Sequence, residues 1–445
     1  MKKPYLKYKD SGIEWIGEIP EHWEAKPIKY VGDIVLGKML TPDDKEGYFR
    51  KPYLRAQNIT WEKVDTEDIK EMWFSEKELS QYRLKENDLL VSEGGEVGRT
   101  AIWQNELNEC YIQNSVHKIT IKSKNNPHYY LYHFQIYGKT GYFDSIVNRV
   151  SIAHLTREKL KEIMFLSPTF HEQQTIANYL DRKTHQIDTF IENKQKLIDL
   201  LKEQRAAIIN QAVTKGLNPN VKLKDSGIEW LGEIPEHWEL RKVGRSFNLI
   251  GSGTTPKSEN IGYYENGTIN WVITGDLNDG ILDKTSKKIT EKALDEYSTL
   301  KIYPVGTLLI AMYGATIGKI SLMNFEGCVN QACCALSNSP YLSNEFSFYW
   351  FLANKQNIIN MSFGGGQPNI SQEVVRSLKI PTPPSSEQQA IIYHLDEQTT
   401  RIDKLMERQG RQIEHLKEYR TTLISEVVTG KIDVRDYGIP EVRPS

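Results

Sequence analysis

The segment Lys9–Glu24 reads KDSGIEWIGEIPEHWE and returns almost unchanged as Lys224–Glu239, KDSGIEWLGEIPEHWE. Fifteen of the sixteen positions match across an offset of 215 residues. The same offset holds far downstream, where the EQQ motif at Glu172–Gln174 returns at Glu387–Gln389. Internal repeats reveal the architecture of a chain before any single motif does. Because one offset joins both ends of the repeated stretch, the chain contains two copies of one module.

The composition is that of a folded protein. The 445 residues are 39% apolar and 26% charged, and the 9 Trp, 23 Tyr and 13 Phe exclude a wholly disordered chain. The net charge of −2 predicts no strong attraction of the whole molecule to DNA or to anionic membranes, so DNA binding would need local basic patches or basic partners. We find no run of 18 apolar residues and therefore expect no membrane span and no membrane partner.

The cysteines and the repeated histidines do not suggest a metal site. The cysteines show no CxxC spacing, which favours free, buried thiols in a reducing cytoplasm; they are Cys110, Cys328, Cys333 and Cys334. His22 and His237 are copies of each other, but neither has a further ligand at metal-binding spacing. We therefore predict no metal in this chain.

The repeated segment itself predicts an ordered arm. It holds two Trp, two Gly and a Pro within fifteen residues, which is too broken for a helix and too rich in glycine for a strand. Its tryptophans are the expected packing anchors: Trp15 and Trp23 in the first copy, Trp230 and Trp238 in the second.

A heptad pattern follows each EQQ motif and predicts two long helices. Each would span about 44 residues, or about 65 Å, and could not bury its apolar stripe alone. We expect the two to pair antiparallel. The predicted stripe consists of Leu180, Ile187, Phe190, Ile191, Leu197, Ile198, Leu201 and Ile208 in the first helix, and of Leu395, Ile402, Leu405, Met406, Ile413, Leu416 and Leu423 in the second.

Polar residues mark the ends and the middle of these helices. Thr169 with Glu172, and Ser385 with Gln388, offer capping boxes. Lys194 and Gln409 interrupt the apolar stripes at matching positions of the two copies. They either fix the register of the pair or occupy exposed positions on an imperfect stripe.

The segments between the repeated ends predict an α+β class, because short β-rich runs alternate with helical stretches. We expect strands at Leu89–Val91, Val116–Ile121, Asn270–Ile273 and Thr307–Ala311, and helices at Glu76–Tyr82 and Phe346–Ile359. The predicted division is an arm at 1–24, a domain at 25–170, a spacer helix at 171–216, a linker and second arm at 217–239, a domain at 240–384, a spacer helix at 385–430 and a tail at 431–445.

Two glycine loops resemble nucleotide-binding sequences, but neither satisfies the chemistry. Gly251–Ser258, GSGTTPKS, has Pro256 where a phosphate-binding loop needs its second glycine, and proline has no N–H for the phosphate. Gly314–Lys319, GATIGK, is one residue short, and Ile320 replaces the metal-binding hydroxyl. Since we also find no Ser-His-Asp arrangement and no amino-methyltransferase motif, we expect no active site in this chain.

The same loops suit DNA. Glycine lets backbone amides approach a phosphate, Lys and Thr donate to phosphate oxygens, and Arg, Gln and Asn read base edges. Ordinary surface turns are the competing interpretation, but the loops recur at matching places in both copies. The predicted phosphate contacts are Thr254, Thr255, Lys257, Ser258 and Lys319. The predicted base contacts are Arg55, Gln57, Asn58, Arg99, Gln113 and Asn114, with Gln331 as the copy of Gln113 and Gln367 in a similar loop.

Taken together, the repeated arm, the GSGTTPKS loop before Trp271, the YGATIGK loop and the PTPP…EQQ stretch before a long helix resemble the specificity subunits of type I restriction–modification systems. The resemblance covers nearly the whole chain, including its two-copy order. It implies two target-recognition domains that each read half of a split double-stranded DNA target. It also implies that the two helices form an antiparallel coiled coil, which separates the domains and docks the modification subunits.

The resemblance further implies a subunit without catalysis or cofactors. Methyl transfer, translocation and cleavage, and with them S-adenosylmethionine, ATP and Mg, would belong to partner subunits: two modification subunits and the restriction subunits, in the cytoplasm. By position, the resemblance adds Tyr313 and Thr316 to the DNA-facing loops. It makes Gly37–Leu40 and Gly94–Arg99 their first-copy counterparts, which adds Lys38, although the first loop lacks the Thr-Pro of the second.

Two other functions stay open on the sequence alone. A two-domain protein-binding scaffold without DNA specificity would explain the duplication and the helices, but not the paired loops. A nuclease with a site scattered through the variable segments would cleave DNA with Mg²⁺ as a purified chain.

Overall fold

The computed structural model describes residues 3–146, 154–361 and 369–437. The chain divides into two compact units, the first formed by residues up to Lys194 and from Arg411 onward, and the second by Gln195–Gly410. Each long helix thus contributes one part of its length to unit 1 and the other part to unit 2.

Short strands and helices alternate in both copies, as the α+β pattern predicts. The strands are β1 (Tyr8–Asp10), β2 (Glu18–Pro20), β3 (Glu24–Pro27), β4 (Gly32–Leu36), β5 (Phe49–Leu54), β6 (Lys70–Phe74), β7 (Leu89–Ser92), β8 (Thr100–Ile102), β9 (Tyr111–Ile112), β10 (Val116–Ile121), β11 (Met164–Ser167), β12 (Leu223–Asp225), β13 (Glu233–Pro235), β14 (Glu239–Lys242), β15 (Leu249–Gly251), β16 (Ile269–Val272), β17 (Gly280–Leu282), β18 (Lys287–Ile289), β19 (Leu308–Ala311), β20 (Ile320–Met323), β21 (Gly327–Val329), β22 (Cys333–Ser337) and β23 (Lys379–Thr382).

The α-helices are α1 (Glu76–Tyr82), α2 (Pro127–Lys139), α3 (Tyr142–Ile146), α4 (Arg157–Glu162), α5 (Phe170–Lys215), α6 (Val243–Ser246), α7 (Glu291–Glu296), α8 (Asn344–Ala353), α9 (Lys355–Asn360), α10 (Gln372–Ser377) and α11 (Ser385–Val428). Short 3-10 turns lie at Ile28–Tyr30, Ala56–Asn58, Ile261–Tyr263 and Thr274–Asp276.

The two units build the same kind of sheet from different sequences. In unit 1 a four-stranded antiparallel sheet has the order β4-β10-β7-β8, and a three-stranded sheet has the order β6-β5-β9. In unit 2 the corresponding orders are β15-β22-β19-β20-β17 and β18-β16-β21. The predicted strands are confirmed as β7, β10, β16 and β19, because apolar runs such as Leu308–Ala311 are buried along their whole length.

The larger sheet of each unit packs against an aromatic helix. Residues from Tyr129 through Tyr137 of α2 are all buried, since the sequence YYLYHFQIY leaves that helix without a polar face. In unit 2, Phe346 through Phe351 of α8 are buried in the same way. Matching contacts tie these helices to the long ones: the Tyr132 hydroxyl donates to Asp181 at 2.7 Å, and the Tyr349 hydroxyl to Asp396 at 2.6 Å.

The predicted helix Phe346–Ile359 is wrong as one continuous element. The chain breaks into α8 and α9 at Asn354, whose backbone has φ −102° and ψ 11°. The Asn354 side chain donates to the Trp350 carbonyl oxygen at 2.9 Å. Asparagine commonly ends a helix through such local hydrogen bonds, which compete with the helical pattern.

The two long helices are confirmed as α5 and α11, and they run antiparallel within each unit. In unit 1, Lys194 Nζ donates to Gln412 Oε1 at 2.6 Å, and Asp188 pairs with Arg420 at 3.0 Å. Residue numbers thus fall along one helix as they rise along the other. In unit 2, Arg205 pairs with Asp403 at 3.0 Å, while Ala212 shares a cavity wall with His394. The Lys194 contact favours the register interpretation of this polar interruption.

One predicted helix cap is confirmed and the other is wrong. The backbone N–H of Glu172 donates to Thr169 Oγ1 at 3.3 Å, just before α5. Ser385, however, is already the first residue of α11. The Gln388 side chain instead accepts from the Ser343 N–H at 2.9 Å and donates to the Pro383 carbonyl at 2.9 Å, so it joins the helix to the sheet region rather than capping it.

The predicted apolar stripe is correct except at three positions. Phe190, Leu197 and Leu405 are 59%, 42% and 39% exposed, respectively. Each directly precedes a stripe residue that is half-buried: Ile191, Ile198 and Met406. Because neighbouring helical residues point about 100° apart, only one of each adjacent pair can face the other helix.

The arm contains strands, contrary to our prediction. β1 pairs with β2 and β12 with β13 as short antiparallel hairpins, closed by turns in which Gly12 and Gly17 adopt φ of 72° and 71°. Glycine suits such turns because it has no side chain to clash at positive φ. The tryptophan anchors are confirmed for Trp23 and Trp238, which are 0% and 1% exposed. Trp15 is 38% exposed and lies edge-on to Tyr137.

Candidate nucleic-acid interface

In unit 1 the candidate interface begins where β5 ends, at the 3-10 turn Ala56–Asn58. Asn58 is buried, and its Oδ1 accepts from the Arg55 backbone N–H at 2.9 Å. Its Nδ2 donates to the carbonyl oxygens of Asp65 and Asp68 at 3.0 and 3.1 Å. Both N–H groups and the oxygen of the side-chain amide are therefore bonded within the loop, and the buried Asn58 stabilises the turn.

Arg55 and Gln57 meet at one exposed carboxylate. Arg55 Nη2 and Gln57 Nε2 donate to Asp68 Oδ2 at 2.9 and 3.2 Å, and Lys70 lies 3.3 Å from the other oxygen. The hydrogen bonds from Arg55 and then Lys70 hold the pKa of Asp68 below its usual value. Asp68 therefore engages Arg55 Nη2 and Gln57 Nε2, two of the donors that a base edge or a phosphate would use, in a position open to solvent.

Lys38 is not on the open surface. Its ammonium lies 2.6 Å from Glu78 and near the Tyr48 and Phe74 rings, and the residue is 7% exposed. Burial tends to raise the pKa of Glu78, but hydrogen bonds from Lys38 and Ser75 outweigh it and the pKa is lowered. The Lys38 side chain therefore ties its loop to α1.

Arg99 and the Gln113–Ser115 loop close onto the same turn. Arg99 Nη2 donates to the Ala56 carbonyl oxygen at 2.7 Å, and the Ala56 N–H donates to Ser115 Oγ at 3.0 Å. Ser115 in turn donates to Gln113 Oε1 at 2.7 Å, and Gln113 Nε2 donates to Asn114. The predicted residues of unit 1 thus come from separate loops that meet in one place.

In unit 2 the GSGTTPKS loop lies against the loop that carries Gln331. Thr255 Oγ1 donates to Gln331 Oε1 at 2.7 Å, and Trp271 Nε1 donates to the Thr254 carbonyl at 3.2 Å. A Cβ atom on Gly253 would lie 1.7 Å from the Val329 carbonyl oxygen, so this close approach requires glycine. Lys257 and Ser258, at the end of the loop, are exposed.

The YGATIGK loop forms the neighbouring part of this surface. Tyr313 forms a β-bridge with Asn369, and the Lys319 N–H donates to the Thr316 carbonyl at 3.0 Å. All three predicted residues of this loop are half-buried. Gln367 lies outside the described residues.

Sequence reasoning missed the residues that hold the unit 1 loops in place. Trp61 Nε1 donates to Glu96 Oε1 at 2.6 Å, and Glu96 pairs with Arg99 at 3.4 Å. A Cβ atom on Gly138 of α2 would lie 2.1 Å from the Trp61 ring, so the indole rests in a gap that only glycine leaves. A lone glycine inside an aromatic helix was the signal for this contact.

The structural role of the repeated His-Trp and EQQ motifs was also not predicted from the sequence. His22 Nε2 lies 2.9 Å from Glu172 Oε2, and Trp23 Nε1 donates to Glu172 Oε1 at 3.3 Å. In unit 2, His237 and Trp238 contact Glu387 at 2.8 and 3.0 Å. The repeated histidines therefore attach the arm to the first turn of each long helix.

The described residues show neither reactive thiols nor a metal cluster. All four cysteines are free and buried, and burial raises the pKa of Cys110 and Cys334 to about 12 and of Cys328 to about 11. Within residues 3–146, 154–361 and 369–437, no group of three His, Cys, Asp or Glu side chains could hold a metal ion. None of the helices in these ranges combines the length and apolar character needed to cross a bilayer.

Solved structures share this fold. A chain from a study of complex assembly and conformational transition of the type I restriction–modification system aligns with a TM-score of 0.73 at 15% identity, over 93% of this chain and 99% of that one. The HsdS subunit from Thermoanaerobacter tengcongensis aligns with a TM-score of 0.57 at 15% identity, over 93% and 98% of the two chains.

Sequence comparison gives the family. The type I restriction enzyme MjaVIII specificity subunit of Methanocaldococcus jannaschii is 24% identical over 431 residues, which cover 94% of this chain and 95% of that protein. The family model described as the type I restriction modification DNA specificity domain matches twice, at residues 20–202 and 235–415. These two ranges include both loop surfaces and most of the chain, which therefore belongs to the type I restriction–modification DNA specificity family.

Proposed function

We propose that the chain is the DNA-reading specificity subunit of a type I restriction–modification complex, and that each unit reads one half of a bipartite double-stranded target. One observation carries the proposal: each unit has its own surface, rich in Arg, Lys, Thr, Gln and glycine, on which loops far apart in the sequence meet. In unit 1 the bond from Arg99 to Ala56 joins two such loops, and in unit 2 the bond from Thr255 to Gln331 does so. Two such surfaces on one chain match a split target.

The chemistry of the candidate side chains supports a division of labour between phosphate and base contacts. Lysines and hydroxyls suit phosphate oxygens, and Arg, Gln and Asn suit base edges. We assign Thr254, Thr255, Lys257, Ser258, Thr316 and Lys319 to phosphates, and Arg55, Gln57, Arg99, Gln113, Asn114, Gln331 and Gln367 to bases, with Tyr313 beside them. Lys38 and Asn58 would act indirectly, because both are buried and their polar atoms bond within the loops.

The partners follow from the same proposal. Catalysis, with S-adenosylmethionine, ATP and Mg, would be carried out by two modification subunits and by restriction subunits in the cytoplasm. The outer faces of the long helices expose Phe190 and Leu200 in the first and Tyr393 and Leu405 in the second, which supports docking of proteins along them. Partner subunits would also add phosphate contacts, because a chain of net charge −2 attracts DNA only weakly as a whole.

The competing functions are less well supported. A protein-binding scaffold would not need the repeated glycine, threonine and lysine loops, and the family match covers both of them. A nuclease would need a catalytic cluster, and purified chain incubated with DNA and Mg²⁺ tests that directly.

Exchange of one recognition region tests the proposal. Replacing residues 240–384 with the corresponding region of a relative should change one half of the methylated sequence and leave the other half intact. The matched exchange of residues 25–170 should change the opposite half. Sequencing of methylated bases in cells that carry the assembled complex gives the result. If either exchange altered both halves together, the units would not read DNA independently.

A further inference from the structure

The two long helices carry the same cross-helix ion pair twice. In unit 1, Arg420 Nε lies 3.0 Å from Asp188 Oδ1. In unit 2, Arg205 Nε lies 3.0 Å from Asp403 Oδ1. Arg420 follows Arg205, and Asp403 follows Asp188, by the offset of 215 residues that relates the two copies. The repeat thus supplies a natural control for each arginine.

The two arginines differ in what else they bind. Arg420 Nη2 also donates to Glu62 Oε2 at 2.7 Å, and its side chain is only 10% exposed. The side chain of Arg205 is 26% exposed, and Asp403 is its carboxylate partner among the described residues. Arg420 therefore connects the helix pair of unit 1 to a residue of the recognition region through an ion pair. Arg205 lines a cavity with Leu352 and Ala353 of α8, but within the described part of the chain its ion pair joins only the two long helices.

Strand pairing explains why the described part of unit 2 shows no equivalent of the contact between Glu62 and Arg420. Glu62 bridges Ala101 in parallel, and Ala101 pairs with β7. In the corresponding sheet, Gly280 pairs in parallel with Ser321, which in turn pairs with β19. Gly280 thus occupies the position of Glu62 and has no side chain to reach a helix.

Unit 2 holds the same loop by another contact. Asp279, the residue before Gly280, accepts from Lys355 Nζ at 2.8 Å. Lys355 is the first residue of α9 and does not belong to a long helix. The loop of unit 2 is therefore fastened inside its own recognition region.

Glu62 lies next to the loops that form the candidate DNA-reading surface of unit 1. Its N–H donates to the Thr100 carbonyl at 3.0 Å, directly after the Gly94–Arg99 loop. The preceding residue, Trp61, bonds to Glu96 in that loop. Glu62 also lies four residues after Asn58, which ends the 3-10 turn that Arg55 precedes and that contains Gln57. A shift of Glu62 would therefore move both loops.

We propose that Arg420 is a positioning residue: by holding Glu62 against the helix pair, it fixes the reading loops of unit 1 and so sets the accuracy with which one half of the DNA target is recognised. The proposal rests on the proposed DNA-reading function. Arg420 itself touches neither the loops' exposed donors nor, by its burial, any DNA. Its effect passes through Glu62, and a one-sided effect on the target distinguishes it from a general contribution to stability.

The experiment compares Arg420→Gln with Arg205→Gln in the assembled methyltransferase. Methylation rates are measured on the full target, once it has been mapped, and on duplexes with single base-pair changes in either half. We expect R420Q to reduce discrimination about tenfold or more in one half, since mispositioned readers lose much of the discrimination that each base contact supplies. The other half should be unaffected, and R205Q should leave both halves unchanged.

Glu62→Gln keeps the test decisive if R420Q does not assemble, because it leaves the Arg420–Asp188 pair in place. E62Q should reproduce the one-sided loss with at most a small change in the thermal stability of the complex, because the Glu62 side chain is 32% exposed. The E62Q/R420Q double variant should be no worse than R420Q alone, as expected for residues that act as one unit. Equal effects of R420Q and R205Q, loss in both halves, or unchanged discrimination in E62Q would overturn the proposal. A parent complex that shows no sequence discrimination would instead refute the proposed function.

Discussion

The two copies attach the arm to the long helix with the same three residues but bury that junction to different depths. The Glu172 side chain is 6% exposed and that of Glu387 is 27% exposed. In unit 1 the tail covers the junction: Arg435 lies 4.0 Å from Glu172, and the Asp433 N–H donates to the Lys3 carbonyl at 2.7 Å. The repeated residues thus determine which atoms meet, whereas residues outside the repeat determine how far water is excluded.

The largest expected difference comes from removing the buried indoles. Trp23→Ala and Trp238→Ala should each lower the free energy of unfolding of their unit by about 3–5 kcal/mol, with Trp23→Ala the more costly because it removes one donor from a more deeply buried carboxylate. Denaturant titration with hydrogen exchange read separately for each unit gives both values. Trp15→Ala, at a 38% exposed position, is the control and should cost far less. Equal losses for all three variants would mean that the junction does not hold the arm.

Substitution of the two junction carboxylates should lower the free energy of unfolding by different amounts in the two units. Glu172→Gln should cost about 1.5–3 kcal/mol, the usual worth of a buried hydrogen bond to a charged group. Glu387→Gln should cost about 1 kcal/mol or less, because solvent screens the more exposed carboxylate. The free energy of unfolding of each unit is again the measured quantity. A larger loss for Glu387→Gln would contradict the link between burial and strength.

Acid should weaken unit 1 before unit 2. His133 is fully buried in α2, and burial lowers its pKa from the ordinary 6.5 to about 3. The unfolded state therefore binds a proton that the folded state excludes. The contribution of neutral His133 to the free energy of unfolding is fully present above pH 6.5. It is lost as the pH drops toward 3, by up to about 1.4 kcal/mol per pH unit. Trp350 takes the corresponding place in α8 and does not titrate.

Hydrogen exchange of α2 and α8 at pH 7 and pH 5.5 would show this difference. After correction for the slower intrinsic exchange of amides at the lower pH, the protection of α2 should be reduced there, and that of α8 should be unchanged. His133→Phe should remove most of the pH dependence in unit 1, apart from a part due to His117, whose pKa is also lowered by burial. An unchanged pH dependence in that variant would show that another group is responsible.

The smallest expected effects are those of single lysines in the unit 2 loops. Lys257→Ala and Lys319→Ala should weaken DNA binding by the assembled complex and reduce the slope of log affinity against log salt by about one, without altering the methylated sequence. Arg99→Ala in unit 1 should instead alter the methylated sequence, because Arg99 bonds to the Ala56 carbonyl and its loss would disturb the 3-10 turn Ala56–Asn58. A new methylation motif with either lysine variant would argue against phosphate contacts.

The features that repeat or alternate locally could be predicted from the sequence. α1 and β10 have the predicted ends, and α5 and α11 agree to within a few residues, because period and end signals are carried by neighbours along the chain. The predicted site residues could be named by type only. Whether Lys38 reaches DNA or Glu78 depends on a loop and a helix that lie 40 residues apart.

The sequence alone determined the duplication, the α+β class, the two long helices and the family. All four depend on residue order or on short-range periodicity, which folding does not change. Only the tertiary structure decided that Asn58 is buried, that Ile191 rather than Phe190 faces the second helix, and that Glu62 reaches Arg420 although the two are 358 positions apart in the chain. Such contacts depend on the distance and angle between elements far apart in the chain, and a difference as small as glycine for glutamate at position 280 removes one of them from unit 2.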